Sequence, residues 1–229
     1  MSQHHHDDFA FEPVRGLPEA LPKGEHILWQ GSPDPWRLAC EAFGLRWVAG
    51  YFALLALWRV GVSAANLPLA EALPHAIPFL AVGAAACAVI LGLAWVQSRA
   101  AVYTLTNRRV GMRIGAALTM TLNLPYLQIQ AAQLDLRRGG TGTLAFVLPK
   151  DVRFSYLMTW PHVRPWHIRH TSPALRCIKD AGAVAAIMAQ AAEARAAEPV
   201  VTRRAPMPAP AAPVTAVPGP FPAGAIPAE

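Results

Sequence analysis

From Ala76 to Val96 the chain runs for 21 residues, AIPFLAVGAAACAVILGLAWV, without one charged side chain. As a helix rising about 1.5 Å per residue it covers about 30 Å, the thickness of a bilayer's hydrocarbon core. Trp95 stands near one end, where an amphipathic ring prefers the headgroup level. The stretch therefore predicts a membrane-spanning helix. Ala84, Ala88 and Gly92 recur every fourth residue and give it a ridge of small side chains. Such a ridge lets a second helix approach closely, although an alanine-rich helix also produces this spacing by chance.

A first span precedes it. Trp47 to Trp58 is uninterrupted, Arg59 follows, and Val60 to Ala65 is apolar again. A helix from Trp47 to Leu67 would bury Arg59 at a cost of at least about 2.5 kcal/mol at the bilayer centre. A start nearer Ala42 is cheaper, with Arg46 at one interface and Arg59 snorkelling to the other. The first apolar run starts more than forty residues in, too far along for a secretory leader.

Composition agrees: 54% of residues are hydrophobic and only 15% charged, which excludes a disordered chain and fits a small membrane protein. The net charge of +6 has a local cause. Arg37 and Arg46 precede the first span and Arg99, Arg108, Arg109 and Arg113 follow the second, whereas residues 66–75 hold no lysine or arginine. The positive-inside rule then puts both termini in the cytoplasm, and the basic residues serve topology and anionic lipid rather than nucleic acid.

The flanks read differently. Residues 1–34 form a polar, proline-punctuated arm whose His4, His5, His6, Asp7 and Asp8 suit a free terminus better than a metal site. Asp34-Pro35 reads as a helix cap followed by proline at the first helical position. Trp36, Cys40, Phe43 and Trp47, opposed by Arg37, Glu41 and Arg46, predict an interfacial helix feeding the first span. Residues 35–98 thus form a membrane unit with spans at about 47–65 and 76–96. Across residues 99–197 the period changes to two. Val110/Met112/Ile114, Leu118/Met120/Leu122/Leu124, Leu144/Phe146/Leu148 and the row Val152/Phe154/Tyr156/Met158/Trp160 each predict a half-buried strand. A phase change near Ala131-Ala132 predicts a bulge or break. Six or seven short antiparallel strands in about sixty residues, then one helix capped by Asp180 with Val184, Ile187, Met188 and Ala191 on its apolar stripe, predict an α+β domain. Its strands would form a compact barrel or bent sandwich closed by that helix, the plan of a pleckstrin-homology (PH)-like domain. Nine of the 22 prolines fall in the last 31 residues, so residues 198–229 predict a disordered tail.

Tyr103-Thr104-Leu105-Thr106-Asn107-Arg108-Arg109-Val110, with Arg113 and Gly115, resembles the opening of bacterial PH-like domains. Four further stretches in order resemble the PuhB family, photosynthetic complex assembly proteins of purple bacteria. They are Leu21-Pro22 with Gly24-Glu25, Ile27 to Gly31, Leu118 to Tyr126, and Trp160 to Trp166. The likeness runs from about Asp7 to Ala196. It implies a non-enzymatic factor of the photosynthetic inner membrane that promotes assembly or stability of the reaction centre and its core light-harvesting antenna. It carries no residue-level mechanism with it.

The residues themselves show no catalytic constellation. Carboxylates are scattered, and Cys40, Cys87 and Cys177 have no ligand spacing and no nearby histidine–acid pattern. Gly139-Gly140-Thr141-Gly142 lacks the lysine and helix start of a phosphate loop and reads as a hairpin turn. His162, His167 and His170 have zinc-like spacing without a cysteine or carboxylate close by, which favours structural or interface duty. His75 beside a span invites a pigment-ligand reading, but a loop role fits better. No cofactor or metal is therefore assigned. Thr159 to His170 is the most unusual run, reading equally as a proline-stiffened crossover with tryptophans in the core or as an aromatic–basic grip on a partner. On the second reading the partner-binding residues are Trp160, Arg164 and Trp166, with Arg108 and Arg109, the Ala84/Ala88/Gly92 ridge, and Trp29, which alternatively staples the arm to the domain. Partners on this view are reaction-centre subunits, the H subunit among them, the core antenna, membrane lipids, and in a homodimer a second copy of the chain. The rival class is a general bacterial PH-like membrane protein that binds lipid headgroups or peptides.

Overall fold

The computed structural model describes residues 15–137 and 139–198. The histidine-rich start and the proline-rich tail lie outside the described residues.

Asp34 does cap the first helix, α1 (Pro35–Glu41): its carboxylate accepts the Arg37 N–H at 2.9 Å, with Pro35 at the first position. The face that α1 buries is not the expected one. Leu38 and Ala39 are covered, while Trp36 stays 57% exposed. α1 ends at Glu41, and Gly44 takes a left-handed conformation (φ 69°) that turns the chain into α2 (Leu45–Ala64). Arg46 therefore sits in the first turn of α2. Arg59 lies in its last third, with about 20 Å of helix between the two.

A short helix α3 (Leu69–Ala72) and a 3₁₀ turn (Leu73–Ala76) reverse the chain into α4 (Ile77–Ala100). α2 and α4 pack antiparallel. Gly83 makes the approach close, because a Cβ there would stand 2.6 Å from Phe52 Cβ. Lower down, Leu45 and Ala94 meet Ala39 of α1, with Cys40, Phe43, Cys87 and Ile90 around them. The small-residue ridge is elsewhere: Ala84, Ala88 and Gly92 are all exposed, and nothing lies within 4 Å of a Cβ placed on Gly92. Both helices are long and apolar enough to cross a membrane, and only 11% of each apolar window is buried inside the protein.

α4 passes into the β-domain through one extended residue, Ala101. A four-stranded antiparallel sheet follows the order β1 (Ile27–Gly31), β2 (Val102–Thr106), β3 (Arg109–Ile114), β4 (Met120–Pro125). A three-stranded sheet follows the order β5 (Ala131–Leu136), β6 (Gly142–Val147), β7 (Ala174–Ile178). The expected barrel does not close. Pro125 ends β4, the 3₁₀ turn Tyr126–Gln128 redirects the chain, and β5 opens a separate sheet. The two sheets enclose one core, built on Tyr103, Leu105, Met112, Leu124, Leu144, Phe146, Leu175 and Ile178. α6 (Ala181–Ala197) closes it with Val184, Met188 and Ala191.

Three local expectations fail. The row from Val152 to Trp160 is not a strand but a loop and one helical turn, α5 (Tyr156–Thr159). Trp160 N–H closes on Tyr156 O at 2.9 Å, and the Thr159 hydroxyl donates to Ser155 O at 2.7 Å. The buried residue of this run is Thr159 rather than any of the alternating apolar ones. In its place the sheet recruits β7, fully buried at all five positions and so without a period-two signal, and β1 out of the arm taken as polar. Asp180 occupies the cap position of α6, yet its left-handed backbone (φ 50°) leaves the side chain without a capping hydrogen bond.

Gly83→Leu should force α2 and α4 apart and destabilise the protein by roughly 1–3 kcal/mol, read as a lowered thermal midpoint in detergent. Gly92→Leu, which enters open space, should leave that midpoint near the parent value.

Candidate partner-binding surface

The β2–β3 turn gathers residues far apart in the chain. The Asn107 side chain accepts His26 N–H at 3.1 Å and donates to Gly24 O at 2.9 Å. Glu25, its side chain only 3% exposed, accepts Arg109 Nε–H at 2.7 Å and the Thr106 hydroxyl at 2.8 Å. Tyr126 donates its phenol to Thr106 O at 2.6 Å, and burial pushes that phenol's pKa up to about 12. Arg109 is thus engaged in an ion pair that clasps the N-terminal arm to the domain. Arg108 is half-buried beside it, with its Nε enclosed. Trp29 on β1 is half-buried against the main core, its ring lying over Gly31, where a Cβ would stand 2.4 Å from it.

The segment from Tyr156 to His170 divides in two. Its inner half is anchored by a buried polar chain. Tyr103 OH lies 2.6 Å from His162 Nδ1, Arg176 N–H reaches the same phenol at 3.4 Å, and Arg176 Nη1 donates to Pro161 O at 3.2 Å. Burial holds the Tyr103 phenol far above its ordinary pKa, so it stays protonated beside the imidazole. Burial, helped by the Arg176 charge, pushes His162 down to about 3. Backbone pairing finishes the anchor: Ala174 N–H bonds to His162 O and Arg164 N–H to Ser172 O, both at 2.9 Å.

The outer half is uncovered. Leu157 is 85% exposed, Trp166 90% and Ile168 67%. Trp160 is partly covered, edge-on to Phe43 at 4.9 Å between ring centroids, which ties this loop to the α1–α2 corner. Trp166 and Arg164 flank a cleft of about 450 Å³ over Arg137 and Arg176. Arg164 bonds to Gln133, and Arg137 pairs with Asp135 at 3.0 Å and Glu41 at 3.7 Å. Arg176 lies at the cleft with its Nε enclosed and unpaired. The result is an apolar and aromatic knuckle beside a cleft lined by three arginines and the acids Glu41 and Asp135, and tryptophan and arginine dominate interface hot spots. Spacing marked Trp160, Arg164 and Trp166 as neighbours; it gave no sign of Phe43, Gln133 or Arg176, which come from other elements.

The other titratable candidates are not assembled into chemistry here. His162 is buried away from the exposed His167 and His170, and among the described residues no three His, Cys, Asp or Glu side chains form a metal cluster. Burial and the Glu41 carboxylate push Cys177 up to about 12, holding it as a thiol. His75 Nδ1 lies 3.3 Å from Ala72 O inside its turn.

His162 carries a pH dependence. The unfolded chain takes up a proton near pH 6.5 and the folded chain only near pH 3. Stability from this group is therefore complete above 6.5 and falls as pH drops through the interval between, by about 2 kcal/mol at pH 5. Thermal midpoints at pH 7 and 5 should show this loss in the parent, and His162→Gln should remove that share of it.

Comparison with known proteins places this architecture. The bacterial PH domain family matches residues 45–192, from the first residue of α2 into the last turns of α6. A Rhodobacter capsulatus protein described as an uncharacterized 23.7 kDa protein in the puhA 5′ region is 46% identical over 203 residues, 88% of this chain and 94% of that one. No solved structure matches. With both the family match and this relative extending through helices and sheets alike, the chain belongs to the bacterial PH domain family.

Proposed function

We propose that this protein is a two-span inner-membrane assembly factor for the photosynthetic reaction centre and its core antenna, acting by holding subunits rather than by catalysis. The observation that carries the reading is the knuckle from Leu157 to Ile168, which is tied through Trp160 and Phe43 to the α1–α2 corner and leaves Trp166 exposed. A partner that is itself a membrane protein meets such a surface at its membrane-proximal face. The uncovered Ala84/Ala88/Gly92 ridge on α4 offers the same partner a helix contact in the same orientation.

Several features support membrane insertion. The apolar faces of α2 and α4 are bare, and exposing that much hydrocarbon to water is unfavourable. Trp47 (84% exposed) and Trp95 (54%) sit at the domain-proximal ends of the two helices, at the level expected of an interfacial belt. Arg46 is exposed in the first turn of α2, where its charge can stay at the interface, and Arg59 lies far enough along the helix to snorkel toward the other one. With the arginine-rich side inward, the β-domain and both described ends lie in the cytoplasm. The relative from the puhA 5′ region, a photosynthesis gene region, supports the choice of complex.

A strain lacking the protein should accumulate several-fold less reaction centre and core antenna, read from membrane absorbance. Normal accumulation would remove the proposal. In a complemented strain, Trp166→Ala should weaken co-purification with reaction-centre subunits while leaving the thermal midpoint unchanged. Trp160→Ala, which also breaks the Phe43 contact, should lower both.

A further inference from the structure

A cavity of about 730 Å³ opens between the last turns of α4, the start of α6 and the β1–α1 connection. That volume lies within the range of small-molecule sites. Three cations line it, Arg15, Arg99 and Lys179. Among the described residues none of their charged ends is paired with a carboxylate. Two acids share the lining, but Asp34 is engaged in capping α1, and Asp180 is turned to the β5–β6 connection, 3.6 Å from where a Cβ on Gly140 would stand. Trp29 and Ile187 supply apolar wall.

The cavity's floor continues into hydrocarbon-like surface. The Arg99 guanidinium stacks over the Trp95 ring, 5.2 Å from its centroid. Trp95 and Leu91 follow at four-residue spacing down one exposed row of α4. Unpaired cations at one end and an uncovered apolar row at the other call for a ligand with an anion and a hydrocarbon chain on the same molecule.

We propose that this crook binds one anionic phospholipid of the cytoplasmic leaflet, its headgroup among Arg15, Arg99 and Lys179 and an acyl chain along α4. The inference rests on the reading that α4 spans the bilayer. The bound lipid would fill the angle between helix and β-domain and fix the height of the domain above the membrane.

The full chain, purified in detergent and placed in nanodiscs of phosphatidylglycerol or of phosphatidylcholine, tests this. The parent should retain phosphatidylglycerol through native mass spectrometry and gain thermal stability from it, with no such preference for phosphatidylcholine and no gain from soluble glycerol phosphate. Arg15→Gln with Lys179→Gln should weaken phosphatidylglycerol retention by roughly thirtyfold, about fivefold for each cation removed. Arg153→Gln with Arg169→Gln, equal in charge but at exposed sites outside the crook, should leave retention unchanged. Equal loss in both double variants, no loss in the first, or equal stabilisation by glycerol phosphate overturns the proposal. Carbonate washing of membranes separates the two readings: a released chain sinks the membrane assignment, whereas an inserted chain without lipid preference sinks the crook alone.

Discussion

A single extended residue, Ala101, fully buried, separates the last turn of α4 from β2. With no linker to absorb a rotation, the apolar helix and a fully buried strand of the domain move as one piece. Two further contacts lock the joint. Ser98 donates its hydroxyl to Pro33 O, and α1 lays Leu38 and Ala39 along α4 while Asp34 N–H bonds to Cys177 O of β7 at 2.8 Å. Every surface discussed here takes its position from that joint: the knuckle near Phe43, the crook above Trp95 and the bare ridge of α4.

β2 also explains why so much polarity is tolerated inside. All five of its residues are buried, and the polar ones serve as attachment points. Thr106 and its neighbour Asn107 hold the arm and Tyr126, while Tyr103 holds His162 and with it the root of the exposed loop. Buried donors and acceptors are costly unless paired, so these bonds dictate one arrangement of chain segments that are 20 to 80 residues apart. The stretches Leu21–Glu25, Leu118–Tyr126 and Trp160–Trp166 are strung along the sequence, yet all three close on this one hairpin.

The enclosed titratable groups and the large uncovered side chains differ in kind. The groups with displaced proton affinities, Tyr103, Tyr126, His162 and Cys177, are enclosed, whereas the most exposed large side chains are aromatic and aliphatic: Trp47, Leu157 and Trp166.

The sequence by itself determined the elements whose physics is local. Two apolar runs, the first interrupted by Arg59, became two long helices, Asp34-Pro35 became a capped start, and alternation at Val110–Ile114 and Met120–Leu124 became strands. Only the tertiary structure decided which segments completed the sheets and which tryptophan was exposed. β7 carries no alternation because both of its faces are buried, including Arg176, and β1 is too short to stand out from a polar arm. The row ending at Trp160 alternates like a strand, yet it pairs with neither sheet and its backbone closes on itself in one helical turn. Period reports how a segment would be half-buried; whether a neighbour exists to bury it is a property of the whole chain.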